Sequence, residues 1–135
     1  MAGNKELGPP HFAVHLSYDD TAAARARALL TELLTRYGVR KDLMDDATLV
    51  LHELVINGLM HGEPDDRDQI AVSAQISDKR LAISVHDGGS RGTVAAQRFT
   101  LDRPDGRGLA MVEVLSDSWS VDRSSGTRVS AYLSI

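Results

Sequence analysis

The chain has no cysteine, which excludes disulfides and thiolate metal sites. It has no excess of positive charge: 15 Lys+Arg stand against 19 Asp+Glu, a formal charge of −4, whereas a dedicated nucleic-acid binder usually carries a basic face. No apolar run follows the basic residue of the first ten, MAGNKELGPP, so no signal peptide is expected. The longest apolar-rich stretch is interrupted by His52, Glu53, Asn57 and His61, which rules out a membrane span there. No internal repeat or low-complexity tract is present. What is there is ordinary: 135 residues, 42% hydrophobic and 25% charged, enough for one domain with a real core. The expected organisation is a flexible tail over residues 1–10 and a single domain over residues 11–135, with a cytoplasmic location.

Hydrophobic periodicity divides the chain into elements. His11 to Ser17 alternates, with Phe12, Val14 and Leu16 on one side, and predicts a strand. Asp19, Asp20 and Thr21 are helix-capping types. The helix after them carries Ala26, Leu29, Leu30, Leu33, Leu34 and Tyr37 at core-facing spacing, and Gly38 ends it. A second helix is expected from Lys41 or Asp42 to about His61, stopped by Gly62 and Pro64. From Ile70 the period changes to two. Ile70, Val72, Ala74 and Ile76 alternate, Ser77-Asp78-Lys79-Arg80 turns the chain, and Leu81, Ile83 and Val85 alternate back as a hairpin. Residues 88–105 read as a long polar loop, of a length usually reserved for function or mobility. A third helix opens at Gly106-Arg107-Gly108 and buries Leu109, Val112 and Leu115. Trp119–Asp122 and Thr127–Ile135 close the chain as a hairpin around Ser124-Ser125-Gly126. The fold class expected is α+β, a two-layer sandwich with a mixed, mostly antiparallel sheet covered on one face by three helices.

The second helix is the most informative segment. At about 100° per residue, Leu49, Val50, Leu51, Leu54, Val55, Ile56, Leu59 and Met60 point in nearly every direction, the mark of a buried helix. Glu53, Asn57 and His61 nevertheless recur every four residues as one polar stripe. A buried carboxylate needs a partner, so the stripe is expected to line a cleft that holds a polar ligand. An acid and an amide one turn apart suit Mg2+ that keeps waters and substrate phosphates; the acid can alternatively deprotonate a nucleophile. His61, in the last turn, has the simpler reading of complementing the helix C-terminus. Gly58, inside the helix at a cost of about 1 kcal/mol relative to Ala, is expected to mark close approach by a backbone or a ligand.

Three further sites carry polar groups worth weighing. Asp87 ends the apolar strand before Gly88-Gly89; it can accept a hydrogen bond from an amine such as that of adenine, or simply form a turn. Gly106-Arg107-Gly108 opens a helix, where free N–H groups favour phosphate, with a plain loop as the alternative. Gly126-Thr127 precedes the last strand, where a hairpin turn is the plain reading.

The order of these elements resembles the GHKL (Bergerat-fold) ATPase superfamily over about residues 12–135. Glu53-Leu-Val-Ile-Asn57 with His61-Gly62 is similar to its helix motif, Asp87-Gly88-Gly89 to its strand-ending Asp-x-Gly, Gly106-Arg107-Gly108-Leu109 to its second glycine box, and Gly126-Thr127 to its late Gly-Thr. Small size places the resemblance with the anti-sigma-factor serine kinases, the class of SpoIIAB and RsbW. The resemblance implies ATP and Mg2+ as cofactors, with Asn57 on the metal and Glu53 as catalytic base. Asp87 and Thr127 would read adenine. His61, Gly89, Gly106, Arg107, Gly108 and Leu109 would belong to the nucleotide-binding surface, and residues 88–105 to a lid. It also implies protein serine/threonine kinase activity, a sigma factor and a STAS-domain antagonist as partners, and a homodimer. Arg91 departs from the pattern, standing where the first glycine box normally has its final glycine. This favours a second expectation, a catalytically silent member that holds its partners without transferring phosphate.

Overall fold

The computed structural model describes residues 9–89 and 107–135. Among the described residues five strands and three helices follow one another in the order β1 His11–Ser17, α1 Ala22–Arg36, α2 Lys41–His61, β2 Gln69–Ser77, β3 Arg80–Asp87, α3 Arg107–Leu115, β4 Ser118–Asp122 and β5 Thr127–Ser134. The strands form one sheet in the order β1-β2-β3-β5-β4. All four pairings are antiparallel, a stricter pattern than the mixed sheet expected, because the described strands are joined as hairpins or return beside a neighbour of opposite direction. The α+β two-layer fold is as the periodicity indicated.

Register explains why one face of the sheet is a core. Side chains alternate across a strand, so paired residues share a face. Val14, Val72, Val85, Val129 and Val121 make one rung, and Phe12, Ala74, Ile83, Ala131 and Trp119 make the next. The opposite face carries Ser73, Ser84, Ser130 and Ser120 on one rung, with the Ser84 and Ser130 hydroxyls hydrogen bonded at 2.8 Å. Asp78 and Lys79 take positive φ at the β2–β3 turn, the handedness that a two-residue hairpin requires.

The helices cover the apolar face. α1 buries Ala22, Ala23, Ala26, Leu30, Leu33 and Leu34. Tyr37, expected in that stripe, is instead 48% exposed: it is the C-cap, one residue past the last full turn of α1. α2 lies between α1 and α3 and over β3. Its buried arc comprises Ala47, Val50, Leu51, Leu54, Val55, Asn57 and Gly58. It is not buried all round, as its composition led us to expect. Leu49, Ile56 and Leu59 are half-buried and Met60 is 62% exposed, because a helix in a two-layer fold has neighbours on three sides only.

Candidate nucleotide site

The site forms where the C-terminal turn of α2 meets the end of β3 and the start of β5. Asp87 is the last residue of β3, and its strand partner on β5 is Thr127. Both lie on the helix-facing side and both are buried, at 4% and 7% exposure. Asp87 therefore ends a line of core residues, Leu81, Ile83 and Val85, as the one acid among them. Burial pushes its carboxyl up to about 6, opposed by a hydrogen bond from the Gly89 N–H, by His86 and by a backbone donor, and reinforced by the charge of Glu63. The Gly89 N–H donates to Oδ1 at 2.5 Å. The other oxygen, Oδ2, faces α2.

Glycines allow that approach. A methyl group on Gly62 would stand 2.1 Å from Asp87 Oδ2, so the glycine of the His61-Gly62 pair is required by space. Its backbone is extended, with φ −95, open to any residue. Gly58 is also a contact point, but with side chains: a Cβ there would lie 3.0 Å from Ile70 Cδ1 and 3.4 Å from Asp87 Oδ2. The expected backbone or ligand is thus replaced by helix-on-sheet packing. On the other side of Asp87, Gly89 and Gly126 both take positive φ, and a Cβ on Gly89 would come within 2.8 Å of the Gly126 Cα. The strand that leaves the site and the strand that enters it are held glycine to glycine.

The stripe on α2 runs along the margin of its buried arc. Asn57 is buried, at 4% exposure, while Glu53, one turn earlier, and His61, the last residue of the helix, are half-buried. Among the described residues no donor is paired with the Glu53 carboxylate. None of their groups of His, Asp and Glu is arranged to hold a metal ion without outside ligands. Arg107 and Gly108 lie in the first turn of α3. Leu109 is buried at 1% exposure, so any share it has in holding a ligand falls to its backbone. Gly106, Arg91 and the rest of the expected lid from residue 90 to 105 lie outside the described residues.

Sequence reasoning overlooked Tyr18. Its hydroxyl donates to the Gly58 carbonyl at 2.6 Å, with the Leu59 carbonyl at 3.2 Å. Burial first, then the charges of Asp87 and Glu63, push this phenol up to about 12. No local pattern signals a contact between residues 40 positions apart. An open recess of about 560 Å3 borders the same strand ends, lined by His15, Asp65, His86, Asp87, Gly88 and Gly126.

The two-layer α+β fold, five antiparallel strands covered by three helices among the described residues, is that of a GHKL-type ATPase domain. Residues 16–133 match the histidine kinase-like ATPase domain family, and the chain belongs to it. Among solved structures it is similar to the RsbU and RsbW domains of a Mycobacterium tuberculosis protein, with 26% identity and a TM-score of 0.72 over 93% of this chain. The chain spans 32% of that longer protein chain. It also shares its fold with the SiaB–SiaC complex of Pseudomonas aeruginosa, at 10% identity and a TM-score of 0.62, over 99% of this chain and 95% of that one. No curated protein matches it significantly. The GHKL kinship with RsbW expected from the motifs is borne out. Among the described residues no helix is long and apolar enough to cross a membrane.

Proposed function

We propose that this protein is an ATP- and Mg2+-dependent serine/threonine protein kinase that acts as an anti-sigma factor in the cytoplasm. It holds a sigma factor and phosphorylates a STAS-domain antagonist, which cannot compete while phosphorylated; the working form is a homodimer. The observation that carries the reading is the placing of Glu53 and Asn57, one turn apart on α2, beside Asp87, which packs against the same helix at Gly58 and Gly62. The partners and the dimer follow from kinship with RsbW.

The residues fit a metal-bound nucleotide. A buried amide and an adjacent carboxylate are the oxygen donors that Mg2+ accepts while keeping water and substrate phosphates. The ion, when bound, neutralises phosphate charge. The chain supplies the rest. The ionised Asp87 accepts a hydrogen bond from the exocyclic amine of adenine, and Thr127 adds a hydroxyl beside it. His61 and Gly89 border the base, while Arg107, Gly108 and the Leu109 backbone lie at the helix start that favours phosphate, and Gly106 precedes them in sequence. Glu53 takes the proton of the acceptor hydroxyl as its oxygen bonds to the γ-phosphorus and the bond to the bridging oxygen of the ADP leaving group breaks. Such transfer needs mainly positioning and charge neutralisation.

Arg91, in place of the usual glycine, supports the second reading, a silent module that binds partners without transfer. Incubation with labelled Mg-ATP and a cognate STAS antagonist separates the two. Phosphorylated antagonist is the expected product; tight partner binding with no phosphate on the antagonist would replace the kinase reading by the silent one.

A further inference from the structure

We propose that Tyr18 is a positioning residue for the nucleotide site: its phenol fastens the last turn of α2 to the β1–α1 connection and so holds Gly58 and Gly62 against Asp87. The inference rests on the nucleotide-site reading above. Tyr18 follows β1 directly, and its own N–H donates to the Asp68 carbonyl at 3.2 Å, at the foot of β2. Its backbone is therefore anchored to the sheet while its side chain reaches across to α2. The Gly58 carbonyl receives two donors, the Tyr18 hydroxyl at 2.6 Å and the Gly62 N–H at 2.9 Å. One hydroxyl proton serves one acceptor at a time, and the Leu59 carbonyl, at 3.2 Å, is its alternative.

The last carbonyls of a helix have no partners within it. The Gly58 carbonyl has the Gly62 N–H, so the phenol is a second donor from outside the helix, at the turn whose two glycines border Asp87. Gly58 is also the residue after Asn57, so the same bond fixes the backbone next to the amide. Gly62 meets Asp87 only because nothing projects from its Cα, which makes the contact sensitive to small movements of the turn. The ionisable groups around Asp87 are Tyr18 from the β1–α1 connection, Glu63 from the segment after α2 and His86 on β3, with His15 of β1 and Asp65, Asp66 and Arg67 before β2 lining the recess beside it. Loosening the turn would admit water to Asp87, weaken the effect of burial and bring its carboxyl back toward the ordinary range.

Tyr18→Phe keeps the ring and removes only the donor. With circular dichroism and a cooperative melt like those of the wild type, this variant is expected to bind ATP about tenfold more weakly, the effect of one lost hydrogen bond. Turnover at saturating ATP should be unchanged. The pH midpoint of nucleotide binding should move below that of the wild type, which a purely structural role elsewhere would not do. Unchanged affinity and an unchanged midpoint would overturn the proposal. The Asp87 titration, followed by NMR without nucleotide, separates this from failure of the nucleotide reading. If the wild type binds no ATP yet Tyr18→Phe lowers the Asp87 midpoint, the fastening stands and the nucleotide reading falls. A measurement on the wild type needs no variant: the Gly62 amide should exchange with solvent as slowly as amides in the middle of α2, and fast exchange would overturn the proposal.

Discussion

Asp87 and Thr127 stand opposite each other on the last rung of the β3–β5 ladder, both buried on the face that the helices cover. Below them the same rungs are apolar, Val85 with Val129 and Ile83 with Ala131. An acid at the end of such a row is costly in its ionised form, and the proposed contact with adenine gives that cost a use.

The first prediction concerns pH. Burial raises the Asp87 carboxyl from 3.8 to about 6, so the folded state binds a proton more readily than the unfolded state. Its contribution to stability is present below pH 4 and is lost as pH rises through about 6; a shift of that size is worth about 3 kcal/mol. Adenine recognition needs the ionised form and runs the other way. ATP affinity is expected to fall as pH drops through about 6, and the ATP-induced rise in melting temperature should shrink with it. Asp87→Asn should remove both pH dependences, weaken ATP binding at least tenfold through loss of one charged hydrogen bond, and leave the apo protein at pH 7 at least as stable.

A second prediction separates space from conformation. Gly62→Ala places a methyl group 2.1 Å from Asp87 Oδ2. It should destabilise the fold by about 1–3 kcal/mol, as overpacking does, and displace the acid so that ATP binding is lost. Gly38 has positive φ but open space around it. Gly38→Ala should cost about 1 kcal/mol of stability from the left-handed backbone alone and leave ATP binding intact. Chemical denaturation beside calorimetric titration checks both.

The stripe on α2 gives a third. Asn57→Ala should abolish Mg2+-dependent ATP binding with little loss of fold. Glu53→Ala should retain binding and slow phosphate transfer to the antagonist by about 100-fold or more, the usual contribution of a general base. A wild-type rate in single-turnover experiments would remove Glu53 from that role.

Much of the fold was legible because periodicity reports burial directly. Alternation at His11–Ser17 marked β1 with the bounds observed, and the change of period at Ile70 marked the β2–β3 hairpin. Failures came where a residue's surroundings depend on the far side of the fold. Tyr37 continues the heptad-like spacing of α1 but lies past its end. Gly58 meets Ile70 and Asp87, a fact fixed by how α2 crosses β3. Around Asp87, Gly62, Gly89 and Gly126 were legible through their motifs, although the close approaches that require them were not. Tyr18 was not legible at all, because it acts through a bond across 40 residues.

The most direct test of the central claim is calorimetric titration of the protein with Mg-ATP and Mg-GTP at pH 7.5, alongside Asp87→Asn and Asn57→Ala. Saturable binding of Mg-ATP, weaker binding of Mg-GTP, loss of Mg-ATP binding in Asn57→Ala and at least tenfold weaker binding in Asp87→Asn are the predicted result. A wild-type protein that binds neither nucleotide, or variants that bind Mg-ATP as the wild type does, would contradict it.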